Sequence, residues 1–292
     1  MLTNSTTQAM PQCDHEEADT RLVVHISDAL KKGLSTCLIC PVDTDVIVIF
    51  IGKFPYLTAV NSDANIWVAF GVGKNFIFWH INTICSNLGE AKSIALPFFH
   101  SFTGCDTTSG FFRRGKKMAW EAWKSFPEIT TVFSQVALQP YTNFDAKSPH
   151  FGMLERYTVL LYNKGSTMEH VDEARMELFC RENKAMENIP PTSDALLQHV
   201  KRAAYQASVW ATSQNSQQKK PTPESWGWKW NECGKEWIPV WTTQPMASTA
   251  CMELVKCSCK SKKGCGTRCT CKKANWSCTN LCKCNCLIED SN

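Results

Sequence analysis

No stretch of the chain approaches the ~20 consecutive apolar residues that span a bilayer, so no membrane partner is expected. Residues Met1–Gln12 are polar and lack the apolar core of a secretory signal, which leaves an intracellular location as the expectation. Neither sign of charge dominates: 31 basic and 27 acidic residues leave a net +4 that by itself points to no partner. The segment Gly71-Val72-Gly73-Lys74-Asn75 lacks the third glycine and the following helix of a nucleotide-binding loop, so that loop is rejected. There is no internal repeat. One local absence says more. Between Lys256 and Cys286 stand eight basic residues and no acidic one.

Cysteine, by contrast, is plentiful, at 17 of 292 residues. Disulfides are disfavoured inside cells, so thiols in such number call for metal. The length suits one large domain or two smaller ones with a sizeable core. Composition divides the chain into a disordered lead over 1–12, an α/β domain with a helical extension over 13–211, a linker and tryptophan-rich docking segment over 212–250, and a cysteine-rich module over 251–292.

Within the α/β part, Val23, Ile26 and Leu30 recur at helical spacing, predicting a helix from about Glu16 to Lys32 that stops at Gly33. Thr36–Cys40 reads as a buried strand. Ile66–Phe70 and Phe76–Ile81 read as two strands joined by a hairpin turn at 71–75. Helices are expected after the basic loop, in the segment of Ala119, Trp120 and Trp123, then over Ser125–Ala137, Met153–Leu161, Val171–Asn183 and Ser193–Ala211, the last capped by Ser193. The polar run Thr212–Pro223 is the expected linker. Trp226, Trp228, Trp230, Trp237 and Trp241 follow without helical period and are expected to dock this stretch onto a globular body. Cys37 and Cys40, a C-x2-C on an apolar strand, are expected in the core.

Three acidic motifs stand in order along the chain: Glu16-Glu17-Ala18-Asp19 at a helix start, Asp43-Thr44-Asp45 at a strand end, and Gly104-Cys105-Asp106 at a turn. An acidic tip after a buried strand is where α/β folds commonly place a metal or ligand. Asp-x-Asp alone also suits a turn, a helix cap or a nucleotide-sugar site, and acids in a first helical turn are favourable for dipole reasons alone. His15 and His100 flank the acids and are read as structural, and Cys105 as packing. Taken together, the motifs resemble the flap-endonuclease branch of the PIN-like nucleases. That family carries a Glu-Ala-Glu helix, a Glu-Asp-x-Asp strand end and a Gly-Cys-Asp-Tyr turn. The resemblance covers roughly residues 13–125. It implies a PIN-like sheet-and-helix fold in which Glu17, Asp19, Asp43, Asp45 and Asp106 hold two Mg²⁺ or Mn²⁺ ions for phosphodiester cleavage. Hard cations want oxygen ligands, and a metal pair stabilises attacking and leaving oxygens together.

The family's next element grips DNA phosphates through backbone amides and a bound monovalent cation, and Gly115, Lys117 and Ala119 match its start. Arg113, Arg114, Lys116 and Lys117 make the stretch cationic, as phosphate contact requires. The departures are Thr107 for the family tyrosine and Arg113 for the first glycine of a Gly-x-Gly. The family also draws two further aspartates from upstream of the helix pair, where this chain has some 16 residues. A fragment of a longer protein, or a nuclease with an incomplete acidic site, is the resulting expectation.

Near the C-terminus, Cys257, Cys259, Cys265, Cys269, Cys271, Cys278, Cys282, Cys284 and Cys286 follow C-x-C-x5-C-x3-C-x-C-x6-C-x3-C-x-C-x-C. Nine is an odd count, unsuited to a closed disulfide set. Zinc takes four thiolates, so nine serve three ions when six sulfurs are terminal and three bridge. The spacing resembles the tesmin-type CXC domain, which forms such a three-zinc cluster and binds DNA. The last gap is one residue shorter than in that type, and Arg268 and Ser277 stand where it carries tyrosines. With three Zn²⁺ the module nets about +5, which suits phosphate attraction through Arg268, Lys272 and Lys273. A zinc knot serving only as a stability staple is the other reading of this module. Cys233 and Cys251 fall outside the pattern.

The whole reads as a nuclear, DNA-associated protein with a nuclease-like acidic site and a zinc module, of a kind that suits a mobile-element-derived gene. The alternative is a catalytically inactive DNA-binding or scaffold protein. An Asp-x-Asp glycosyltransferase suits neither the cysteines nor the basic loop.

Overall fold

The computed structural model describes residues 12–180, 188–242, 257, 259, 265–273, 278 and 282–284. Backbone contacts divide the chain into two units: residues 1–111, 123–145 and 198–240 form one, and residues 112–122, 146–197 and 241–292 the other. The structure is mixed α/β, with small sheets and a preponderance of helix. Among the described residues no helix is long and apolar enough to cross a membrane.

The first unit begins with α1 (Ala18–Lys31), which buries Val23, Val24, Ser27 and Leu30 along one stripe. Strand β1 (Thr36–Ile39) runs parallel to β2 (Asn65–Phe70), and β2 pairs antiparallel with β3 (Ile77–His80) in the order β1-β2-β3. The hairpin falls where the alternation predicted it, with a 3₁₀ turn at Gly73–Asn75. The strand read as fully buried is an edge strand instead. Cys37 and Ile39 face the core, while Leu38, on the other face of β1, is 55% exposed. Of the C-x2-C pair, Cys37 is buried and Cys40 is exposed.

Helix α2 (Asp45–Val60) follows the acidic tip, and α3 (Ile81–Leu88) and α4 (Glu90–Phe102) follow β3. Both α2 and α4 contain an internal proline, which removes a backbone donor and crowds the preceding turn. Pro97 on α4 sits against Gly52 on α2, where a Cβ would lie 2.4 Å from the proline ring. The glycine thus lets the two helices approach with the proline between them. Phe98, Phe99 and Phe102 then pack on α6 (Ile129–Leu138) through Phe133, at ring separations of 5.6, 6.0 and 6.2 Å. Pro127 and Glu128 divide the helix expected over Ser125–Ala137: α5 (Lys116–Ser125) ends where it was to begin, and α6 starts four residues on.

The second unit contains α7 (Pro149–Tyr162), capped by the Ser148 hydroxyl accepting from the Phe151 N–H at 3.2 Å, and α8 (Val171–Cys180). The Tyr157 hydroxyl, fully buried, donates to the Ala119 carbonyl at 2.8 Å and fixes α7 to the start of α5. The division between units falls inside α5 and α9 (Ser193–Ala211). The cap of α9 is Thr192 rather than Ser193: its hydroxyl accepts from the Ala195 N–H at 3.3 Å, and Ser193 N–H donates to Asp172 at 3.0 Å.

The segment 212–240 belongs to the first unit and does not behave as a linker. Gln218 is buried, its side chain donating to the Val209 carbonyl and its N–H to Asp14. Lys220 pairs with Glu16. A polar composition was read as solvated chain, whereas here the polar groups satisfy one another. Beyond it, β4 (Trp228–Asn231) and β5 (Glu236–Pro239) form an antiparallel hairpin. Trp226 docks, at 4% exposure, between Tyr141 and Tyr205. Trp230, Trp237 and Trp241 remain exposed, contrary to the expectation that all would dock.

Candidate metal centres

The acids come from three segments of the first unit. Glu17 is the residue before α1, and Asp19 lies in its first turn, where the helix dipole favours a negative charge. His15 holds this entry in place, one ring nitrogen at 3.0 Å from the Thr20 hydroxyl and the other at 2.7 Å from the Asn215 carbonyl. Asp43 and Asp45 stand where the chain leaves β1 and enters α2. Asp43 Oδ1 accepts from the Asp45 N–H at 3.0 Å, and Asp45 Oδ1 lies 2.8 Å from His100 Nε2 on α4. His100, read from sequence as structural, therefore orients an acid of the tip. These contacts engage one oxygen of each aspartate.

Asp106 is carried on a turn closed by paired bonds, Cys105 N–H to the Thr108 carbonyl at 3.1 Å and the reverse at 3.2 Å. Gly104 makes the turn feasible. Its φ is +108°, and a Cβ there would lie 2.9 Å from Gly110 Cα. Cys105 is half-buried, its sulfur 3.1 Å from the Thr108 hydroxyl.

Two of these acids, Asp19 and Glu17, feel the others. The Asp19 carboxyl is held above its ordinary value, first by desolvation and then by the charges of Asp43, Asp45 and Asp106. Glu17, although exposed by area, is raised by desolvation and by Asp19, Asp45 and Glu16, with Lys220 opposing. Among the described residues, however, the groups of three or more ligand atoms within 4.8 Å of one another are all cysteines. The acids converge on a region, not on one tight cage.

In the second unit, the basic loop divides. Arg113, Lys116 and Lys117 are exposed, and Arg113 takes a left-handed backbone with φ 55°. Arg114 turns inward, its guanidinium 4.9 Å over the Tyr162 ring and its Nε buried without a hydrogen-bond partner. That placement is unlike the phosphate contact expected from its charge.

The described cysteines of the C-terminal module gather their sulfurs into three groups of four: Cys257, Cys259, Cys265 and Cys269; Cys257, Cys265, Cys278 and Cys284; Cys257, Cys271, Cys278 and Cys282. Cys286 lies outside the described residues. Sulfur separations include 3.8 Å for Cys257–Cys265, 3.4 Å for Cys257–Cys284, and 3.7 Å for both Cys265–Cys278 and Cys271–Cys282. A disulfide bond is about 2 Å long, whereas the edge of a tetrahedron with 2.3 Å metal–sulfur bonds is about 3.8 Å. The spacing is thus that of sulfurs around a metal. Backbone contacts support it: Cys257 N–H donates to the Cys282 sulfur at 3.2 Å, and Lys283 N–H to the Cys257 carbonyl at 3.1 Å. Phe179 of α8 packs against the cluster, a contact that no sequence signal announced.

Without an ion the crowded thiols hold their protons unevenly. Desolvation first, then neighbouring thiols, push Cys257 up to about 12 and Cys271 to about 11, and Cys278 rises as well. Cys269 falls to about 6: desolvation raises it, but the Lys272 N–H and neighbouring thiols outweigh that. A thiophilic cation displaces these protons. The module can therefore hold metal, and four-thiolate groups suit zinc. Arg268, Lys272, Lys273 and Lys283 are all exposed around it.

No protein-family model, no curated protein and no solved structure matches this chain.

Proposed function

We propose that the protein acts on DNA through two metal centres, a divalent-metal acidic site for phosphodiester hydrolysis in the first unit and a three-zinc cluster that engages DNA in the second. The observation that carries the first part is Asp19 on α1, whose carboxyl is raised first by desolvation and then by the charges of Asp43 and Asp45 at the β1–α2 tip and of Asp106 on the Gly104 turn. A carboxylate under the charge of neighbouring carboxylates marks a place where a cation is favoured. Mg²⁺ or Mn²⁺ bound there would supply an activated water and neutralise charge on the phosphate. The chain's own part is to hold the ligands: His100 fixes Asp45, the Asp45 N–H fixes Asp43, and the Gly104 turn presents Asp106.

In the zinc module, Cys257 belongs to all three sulfur groups, and Cys265 and Cys278 to two each. If these bridge, Cys259 and Cys269 complete one ion, Cys271 and Cys282 a second, and Cys284 contributes to the third. The exposed Arg268, Lys272 and Lys273 then offer phosphate contacts. A nuclear, mobile-element-derived protein fits this pairing of centres.

A second reading, an inactive DNA-binding scaffold, is favoured by one observation: one oxygen of Asp43 and one of Asp45 are already occupied by the protein, as in a simple helix cap. One experiment separates the two. Branched DNA incubated with Mn²⁺ and the chain is cleaved, and D43A/D45A reduces cleavage by at least a hundredfold. Cleavage that is equal in both, or absent in both, supports the scaffold.

A further inference from the structure

The first unit contains a cavity of about 290 Å³ that adjoins the acidic site, since Glu17 and Thr107, the neighbour of Asp106, line it. The β4–β5 hairpin contributes to the same lining. In that hairpin Trp228 pairs with Pro239 and Trp230 with Trp237, so all four side chains share one face. Trp228 and Trp237 line the cavity, and Trp230 extends the wall outward, its ring 5.3 Å from Trp237.

The hairpin is firmly seated. Trp226 is buried at its base, Gly227 adopts a φ of +80° with space for no Cβ against the Gln198 carbonyl, and Arg202 donates to the Gly227 carbonyl at 3.0 Å. Arg202 also lies 5.8 Å over the Trp228 ring. Anchoring is thus complete without Trp230 and Trp237, which remain 42% and 38% exposed. Large aromatic faces stand here beside Arg202 and Gln206, with Lys220 paired to Glu16 and with Glu17 on the same lining, so flat stacking surface meets hydrogen-bonding groups of both signs, suited to a polar, aromatic ligand.

We propose that this cavity seats one unpaired nucleobase of a DNA strand, stacked on Trp237 and Trp228, and so fixes which phosphate reaches the acidic site. The assignment rests on the hydrolytic reading only for its last clause. The base seat stands on the aromatic wall and its hydrogen-bonding neighbours. Stacking needs no base identity, so the seat selects unpaired structure and not sequence.

The test uses the full zinc-loaded chain and a fluorescein-labelled deoxythymidine tetranucleotide, without added Mg²⁺ or Mn²⁺. W237A is expected to weaken binding about tenfold, within the range for loss of one base stack, and W237F to regain most of it. A tetranucleotide of abasic residues should bind the wild-type chain as weakly as deoxythymidine binds W237A. Irradiating a 5-iodouracil tetranucleotide should cross-link it to the peptide containing Trp228 or Trp237. Wild-type affinity in W237A, or equal affinity for abasic and base-bearing strands, overturns the proposal. Displacement by thymidine monophosphate as effective as by the unlabelled tetranucleotide would assign the seat to free nucleotides and overturn it for a strand. Absence of Mn²⁺-dependent cleavage alongside these binding results would remove the hydrolytic reading and leave the base seat. Cleavage with an unchanged KM in W237A would do the reverse.

Discussion

The acidic tip and the cysteine cluster both crowd groups that bind cations, and they differ in how far the polypeptide itself relieves the crowding. At the tip, Asp43 is satisfied by a backbone N–H and Asp45 by His100, and the carboxylates stand apart. In the cluster, Cys257 has three neighbouring sulfurs within 4.0 Å and takes part in all three groups. The first site is built on elements that pack on one another, α1, α2 and α4. Among the described residues, the second packs its sulfurs on one another and on Phe179. From this difference, metal is expected to be a structural member of the cluster and a visitor at the tip.

The sharpest way to break this comparison is to remove the zinc. Structural zinc contributes about 10–16 kcal/mol in zinc-finger peptides, so chelation should abolish hydrogen-exchange protection around Cys257–Cys284 while α2 stays protected. Loss of protection in both together would show that the acidic site also leans on the cluster. Within the cluster, Cys257→Ser should release at least two zinc ions by native mass spectrometry and Cys284→Ser at most one, because Cys257 serves three sulfur groups and Cys284 one. Equal losses would reject the bridging role.

At the tip, the backbone carries what metal carries in the cluster. Gly104→Ala forces a Cβ into Gly110 at φ +108°, a strain of about 1–3 kcal/mol. It should lower the unfolding midpoint in urea and weaken Mn²⁺ binding, with zinc content unchanged. The smallest effect is electrostatic. Asp19 and Glu17 have folded-state affinities for protons above their ordinary values of 3.8 and 4.5. The folded state therefore holds protons that the unfolded chain has lost, and stability falls as pH rises through that window and levels off above it. Melting temperatures of the metal-free tip at pH 4 to 7 should show this slope, Asp19→Asn should flatten it, and Mn²⁺ should offset it.

Much of this was legible in residue order. The stripe Val23, Ile26 and Leu30 gave α1 nearly to its ends, and alternation gave the β2–β3 hairpin, because both elements are amphipathic. Helix α4 was not legible: Leu96-Pro97 reads as a break, and only the contact with Gly52, 45 positions earlier, makes the proline acceptable. Helix α2 is apolar on nearly every face, so it lacks a period to read. The segment 212–223 was misread because composition cannot tell solvated polar groups from groups that bond to one another, as Gln218 does with Asp14 and Val209. The cysteine array was readable because its spacing is itself the ligand set. The aromatic wall was visible only as a crowd of tryptophans; the strand register was needed to separate the buried Trp226 from the face of Trp228, Trp230 and Trp237.

The most direct test of the account is a calorimetric titration of Mn²⁺ into the zinc-loaded chain, comparing wild type with D43A/D45A. The account predicts saturable binding to the wild-type chain that is lost in the variant, with zinc content equal in the two. Mn²⁺ binding of the same strength in both, or none in the wild type, would contradict it.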